Sequence, residues 1–239
     1  MSDINICLLY PDLLGTYGDG GNAMVLLKRL EWRGIQASLV SVAMGEAVPS
    51  GCDLYVMGGG EDQPQTAVTD HLKESRSLHK AVDNGAAVLA VCAGMQVLGE
   101  SFAVAGDKMR DGLGLLDVTT VRGEGERRVG EITVQPSPGF GDQTFTGYEN
   151  HGGITKLGPN AKPLGTVLTG KGNDDGLKTE GAVSGRVVGT YLHGPMLARN
   201  AHFADHLLSW IVGRKLEPLD DATVDRLRTE RLSASRSHR

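Results

Sequence analysis

Cys92 stands at the end of an apolar run, within the stretch Ala86–Gly99, AAVLAVCAGMQVLG. Asn84-Gly85 bounds the run before it, and Ala93-Gly94 with residues at helical spacing follows the cysteine. This pattern predicts a fully buried strand that turns sharply into a helix at Cys92. A helix N-terminus aims free backbone N–H groups and a partial positive charge at the sulfur, which favours the thiolate. That is the logic of a nucleophile elbow, with Cys in place of Ser. Taken alone, the same residues also suit a packed, inert thiol in a strand-to-helix turn. The choice depends on what else reaches the cysteine.

A thiolate nucleophile needs a base that later returns the proton to a leaving amine. Of the seven histidines, only His151 and His193 follow strand signals. His71 and His79 fall on a polar helical stretch, His202 and His206 on an amphipathic one, and His238 in the tail; all five read as solvated or helix-face residues. His193 ends RVVGTYLH just before Gly194-Pro195 and is the better candidate base. His151, in GYENHGG, would line the site or brace its loop. The N–H of Ala93 is placed to donate to an oxyanion forming beside Cys92. Gly58-Gly59-Gly60, after DLYVM, offers a second donor, because without Cβ atoms the backbone can approach a reacting carbonyl; a plain tight turn is the alternative. No Gly-Lys-Ser/Thr ending follows, which disfavours a phosphate loop. Arg127 and Arg128 precede GEITVQP. They belong either to a solvated charged loop or to a fork on an amino-acid carboxylate.

Each of these pieces lies at or just beyond an expected strand end, where open α/β sheets place their sites. INICLLY (Ile4–Tyr10), QASLVSV (Gln36–Val42) and DLYVMG (Asp53–Gly58) read as buried strands. A glycine-rich loop, Gly15–Gly21, and an amphipathic helix from Asn22 to a Gly34 cap separate the first two. Pro64–Asn84 reads as one long surface helix. Strand alternating with helix implies a mostly parallel central sheet flanked by helices. After Gly112 the pattern changes to short strands and turns: Leu115–Val121, Gly130–Pro136 and Gln143–Gly153. The middle third is therefore expected to be a β-rich antiparallel extension. Gly181–Gly194 reads as a hairpin returning to the core, and Ala198–Gly213 as an amphipathic helix. Beyond Pro218 a charged terminal helix is expected, with a disordered SASRSHR end.

Composition narrows the function classes. A chain of 239 residues with 34 glycines and a net charge of −5 suits a large α/β domain and gives no reason to expect nucleic acid or an acidic membrane surface. No apolar run reaches the ~18 residues of a membrane span, and MSDINICLLY lacks the basic and apolar regions of a signal peptide. Cys7, Cys52 and Cys92 are odd in number and far apart. They form neither a disulfide framework nor a CxxC metal site, and a reducing, cytoplasmic setting is expected.

Together, GGGEDQPQ (Gly58–Gln65), VCAGMQVLG (Val91–Gly99), YENHGG (Tyr148–Gly153) and GTYLHGP (Gly189–Pro195) resemble the class I (triad-type) glutamine amidotransferases. The GGGEDQPQ and YENHGG pieces point to the cobyric acid synthase-like branch, and there to the stand-alone glutaminase subunits of lipid II isoglutaminyl synthase (GatD type). The resemblance implies the class I amidotransferase fold over residues 1–217, with a charged, partly disordered extension over 218–239. It implies that Cys92 is the nucleophile and His193 the base, that Gly60 and Ala93 supply the oxyanion N–H groups, and that Arg127, Gln96, Asn150 and His151 hold a bound glutamine. Arg127 fits the pattern R-x-x-G-[DE]; Arg128, one position off, is the second choice. The implied partner is a Mur-ligase-like synthetase subunit (MurT type) in a heterodimer, carrying the ATP and Mg sites; no cofactor is expected in this chain. The alternatives are a glutaminase for another ATP-dependent amidation of the cobyric acid type, and a non-catalytic or redox-sensing protein on the same fold. One departure stands out. Many class I members carry Glu two residues after the histidine, where this chain has Pro195. Either a Cys–His dyad suffices or a carboxylate comes from elsewhere, and the expectation is that the partner supplies or positions it.

Overall fold

The computed structural model describes residues 3–237. From the N-terminus, β1 (Ile4–Leu9), α1 (Gly21–Glu31), β2 (Ala37–Val42), β3 (Leu54–Met57), α2 (Asp62–Ser75), α3 (Ser77–Asp83), β4 (Ala87–Val91) and α4 (Ala93–Leu98) alternate as expected. Eight short strands follow: β5 (Ser101–Val104), β6 (Lys108–Asp111), β7 (Val118–Arg122), β8 (Arg128–Pro136), β9 (Phe145–His151), β10 (Gly153–Leu157), β11 (Gly165–Thr169) and β12 (Thr179–Glu180). The hairpin β13 (Ala182–Ser184) and β14 (Val187–Thr190) returns to the centre, and α5 (Met196–Arg199), α6 (Ala201–Val212) and α7 (Ala222–Ser237) close the chain.

The central sheet has the order β13-β14-β4-β3-β1-β2. All neighbours in it are parallel except the β13–β14 hairpin. Strand side chains alternate between its two faces. Ile6, Val56, Leu89 and Val188 meet α1 and α6 through Leu26, Leu30, Phe203 and Leu207 on one face. Cys7, Tyr55, Met57, Val88 and Ala90 meet α2, α3 and α4 through Val68, Leu72, Leu78 and Met95 on the other. Burial on both faces is why these strands read as continuous apolar runs. Because β1, β3, β4 and β14 run parallel, their C-terminal ends gather on one edge.

The middle third is strand-rich, as expected. It forms two four-stranded sheets, β10-β7-β5-β6 and β12-β11-β8-β9, antiparallel apart from the β5–β7 pair. Two expectations are corrected. The single helix over Pro64–Asn84 is two, broken at Arg76, whose φ of 52° is left-handed. The helical spacing of MQVLGESF does not persist: α4 stops at Leu98, and Ser101 and Phe102 enter β5, where pairing to β6 and β7 overrides the local pattern.

At the C-terminus the charged helix is present as α7. A buried guanidinium precedes it in space: Arg29 of α1 bonds Asp205 at 2.6 and 2.7 Å and Asp221 at 2.8 Å twice, and Arg33 bonds Asp205 at 2.6 Å. The helix histidines face inward more than expected. His71 meets Tyr10 Oη, His79 meets the Leu113 carbonyl, and His202 stacks on Phe145. The tail expected to be disordered is instead helical as far as Ser237, where α7 ends, and His238 and Arg239 lie outside the described residues. Among the described residues, no helix is long and apolar enough to cross a membrane.

Candidate active site

Cys92 joins β4 to α4 with φ 54° and ψ −110°, a region that non-glycine residues seldom occupy and that marks strained functional turns. Its N–H donates to the Thr190 carbonyl at 2.8 Å, tying the turn to the end of β14. Gly94 lets α4 sit close against the end of β3. A Cβ there would lie 3.0 Å from the Gly58 carbonyl oxygen and 3.1 Å from Met57. The cysteine is 6% exposed and opens onto a cavity of about 410 Å³.

His193 follows β14 and is held by its own backbone. Its N–H donates to the Tyr148 carbonyl at 2.8 Å and its carbonyl accepts from the Tyr148 N–H at 3.1 Å. The His193 Nδ1 lies 2.9 Å from Asp19 Oδ2, and both side chains are buried. With Nδ1–H given to Asp19, Nε2 is the nitrogen left for the thiol; it has no hydrogen bond among the described residues. The three elements converge on Gly59, where a Cβ would lie 3.0 Å from His193 Cε1 and 3.2 Å from both Cys92 Cβ and the Tyr17 ring. The Tyr17 ring covers the imidazole at 4.6 Å between centroids. Burial works against a charged imidazole, but the Asp19 hydrogen bond, followed by the Cys92 interaction and the Asp19 charge, outweighs it. The His193 pKa is held up at about 9, against an ordinary 6.5.

Asp19 brings a carboxylate to the histidine from elsewhere in this chain, where the partner was expected to supply it. It comes from the glycine-rich loop, 174 residues before His193, and the same Oδ2 accepts the Gly59 N–H at 3.1 Å. Sequence reading missed both Asp19 and Tyr17 because an Asp among glycines reads as a turn residue. The available signal was position: this is the loop after the first strand, whose end lies beside that of β3 in the parallel sheet.

The other expected residues divide. Gly60 and Ala93 both line the cavity beside Cys92, and neither N–H is engaged among the described residues, whereas Gly59 is committed to Asp19. Arg127 lines the same cavity and is steered by Asn150, which accepts from Nε through Oδ1 and from Nη2 through its carbonyl, each at 3.1 Å. Arg128 turns away and pairs with Asp174, so of the two arginines only Arg127 reaches the cavity. Asn150 thus acts on the arginine and is not itself a cavity residue. His151 is buried in the cavity wall, bonded through Nδ1 to the Gly153 carbonyl at 3.0 Å and stacked on Tyr191 at 3.7 Å. The Gln96 carboxamide is largely spent on the protein: its Oε1 accepts from Gln65 at 2.9 Å and its Nε2 donates to Tyr191 Oη at 3.0 Å. The site is therefore a buried Asp–His–Cys line opening on a polar cavity with an arginine at its rim, an arrangement suited to acyl transfer from a small amide.

Comparison with known proteins agrees. The family of CobB/CobQ-like glutamine amidotransferase domains matches residues 5–201. The chain is 35% identical over 214 residues to a Streptococcus pneumoniae protein named lipid II isoglutaminyl synthase (glutamine-hydrolyzing) subunit GatD, covering 89% of this chain and 82% of that one. It is 34% identical over 227 residues to the Staphylococcus aureus subunit of the same name, covering 94% and 91%. A cobyric acid synthase of Limosilactobacillus reuteri is 34% identical over 153 residues, but the match spans only 29% of that protein. In fold, the chain is similar to a crystal structure of a glutamine amidotransferase (TM-score 0.60, 21% identity, 87% of this chain and 98% of that one). It is also similar to the glutaminase domain of Trypanosoma brucei CTPS (TM-score 0.52, 10% identity, 90% and 96%). This chain belongs to the CobB/CobQ-like glutamine amidotransferase family.

Proposed function

We propose that this chain hydrolyses L-glutamine to L-glutamate and ammonia at Cys92. The observation that carries this is the strained cysteine elbow opening on a cavity while its neighbour His193 is held by a buried Asp19. With Asp19 bonded to Nδ1, His193 rests as the imidazolium at neutral pH, a neighbour that stabilises a thiolate. The thiolate attacks the side-chain carboxamide carbon of glutamine, and the carbonyl oxygen becomes an oxyanion facing the Gly60 and Ala93 amides. One such donor is worth roughly 3 kcal/mol in comparable enzymes. His193 then gives its Nε2 proton to the amide nitrogen, ammonia leaves, and a γ-glutamyl thioester remains. Water attacks the thioester while neutral His193 takes a proton from it; collapse of the tetrahedral intermediate expels the Cys92 sulfur and releases glutamate. Arg127, steered by Asn150, binds the α-carboxylate, while Gln96 and His151 shape the wall.

Ammonia would pass to a partner that activates a carboxylate with ATP, in the cytoplasm. Resemblance to the two subunits above supports lipid II as the final acceptor, with amidation of the D-glutamate α-carboxylate by a Mur-ligase-like subunit. The matches favour this over a cobyric acid-type role, since they run along 89% and 94% of this chain for those subunits and along 61% of it for the cobyric acid synthase. Glutamate release from L-glutamine by the purified chain, alone and with the partner, tests the reading. Cys92→Ser should fold and lose turnover; retained turnover would reject Cys92 as nucleophile.

A further inference from the structure

The chain changes sheets between Thr190 and His193, and this joint carries the base. Thr190 ends β14 and is anchored to β4, pairing with Val91 and accepting the Cys92 N–H. His193 is anchored to β9 through Tyr148. Tyr191 and Leu192 span the gap, both fully buried, and neither N–H has a strand partner. Unpaired, each would be a costly orphan in the interior. A single acid replaces the missing strand. Glu180 Oε1 accepts the Tyr191 N–H at 2.7 Å and the Thr190 hydroxyl at 2.9 Å. The same hydroxyl accepts the Leu192 N–H at 3.1 Å. Glu180 is itself 0% exposed, and its own ends are held, since Asn173 bonds the Gly181 N–H and carbonyl and the Thr179 hydroxyl.

We infer that Glu180 is a positioning residue for catalysis: through Thr190 and the Tyr191 and Leu192 amides it fixes the joint that places His193 relative to Cys92. This rests on the glutaminase reading above and goes beyond it, since Glu180 touches neither the cavity nor the reacting atoms. Tyr191 gives the joint a second hold on the site, because its hydroxyl accepts from Gln96, which lines the cavity, and meets the buried Thr155. Burial pushes the Glu180 carboxyl up to about 7 against the opposing Tyr191 and Thr190 hydrogen bonds. Near neutrality both its neutral and charged forms therefore exist, and either accepts both bonds through Oε1. A glutamine oxygen can do the same.

The test compares Glu180→Gln, Glu180→Ala and Thr190→Val in the full chain, by steady-state glutamine hydrolysis and by the rate of Cys92 alkylation with iodoacetamide. Small displacements of a catalytic group cost up to about 10²-fold; kcat in Glu180→Ala should fall by roughly that order, with KM within about threefold, and Cys92 alkylation should slow. Thr190→Val should fall in the same direction, and Glu180→Gln should recover most of the rate. If Glu180→Ala does not fold, Thr190→Val and Glu180→Gln decide the matter by the same readouts. Wild-type kcat and alkylation rate in Glu180→Ala or Thr190→Val would overturn the inference, as would a Glu180→Gln variant as slow as Glu180→Ala. Alkylation needs no glutamine, so it tests the positioning even if the wild-type chain releases no ammonia, which would instead reject the glutaminase reading.

Discussion

At the scale of single residues, one carboxylate oxygen does two things. Asp19 Oδ2 accepts from His193 and from the Gly59 amide, so it orients the base and fixes the loop that presents Gly60. Asp19→Asn should lower kcat by roughly 10²–10⁴, as loss of the orienting carboxylate does in serine triads. The pH dependence should change as well. The His193 pKa, now about 9, should fall toward its ordinary value, and the alkaline limb of Cys92 alkylation should move with it. The same linkage appears in stability. The folded chain binds this proton more tightly than the unfolded one, so the contribution is complete below the unfolded value of 6.5 and is lost as pH rises through about 9. The stability gap between wild type and Asp19→Asn, measured by urea unfolding, should therefore narrow at alkaline pH. The two adjacent arginines separate cleanly. Arg127→Ala should raise KM for glutamine by roughly 10- to 100-fold, the worth of a charge-assisted contact. Arg128→Ala should leave KM near wild type, because Arg128 serves Asp174. Steady-state kinetics on both variants distinguishes the roles.

At the scale of elements, the site depends on how closely α4 approaches the end of β3. Gly94 N–H donates to the Gly58 carbonyl at 3.2 Å, and a Cβ there would press on the Gly58 and Met57 carbonyls at 3.0–3.1 Å. Gly94→Ala should force the helix off the sheet edge, costing about 1–3 kcal/mol of stability as overpacking does and misplacing the Ala93 amide. Differential scanning calorimetry and turnover on the same preparation should show activity falling further than stability alone explains. The YENHGG segment takes on physical meaning at this level. Glu149 binds the amides of Lys171 and Gly172, Asn150 steers Arg127, and His151 stacks on Tyr191. Of three consecutive residues of one edge strand, Asn150 holds a cavity arginine and His151 is itself part of the cavity wall, while Glu149 ties down the loop behind them.

At the scale of the whole molecule, the C-terminal region is clamped to α1 by Arg29, whose side chain is 2% exposed between Asp205 and Asp221. Arg228 of α7 adds a bond to the Thr144 carbonyl beside β9. Breaking a buried ion pair by removing one partner strands the other charges, so Arg29→Ala should cost about 3–5 kcal/mol. Limited proteolysis should then cleave ahead of α7, between residues 213 and 221, well before the central sheet is attacked. A variant as stable and as protease-resistant as wild type would show that the clamp carries no net weight.

The sequence by itself determined the parallel sheet, because strands buried on both faces must be continuous apolar runs and helices between them must be amphipathic. It also singled out Cys92 and His193 as the candidate pair, since each stands where such a strand ends among small residues. Helix limits were less legible: the break at Arg76 and the early stop of α4 come from backbone conformation and strand pairing that local periodicity does not carry. The tertiary structure alone decided what completes the site. Asp19 meets His193 across 174 positions of chain, Arg128 is taken out of reach by Asp174, and Gln96 is claimed by Gln65 and Tyr191 before any ligand arrives. The physical reason is common to all three. A side chain's partner is fixed by which strand ends the sheet order brings together, and that order is a property of the folded chain and not of any one segment.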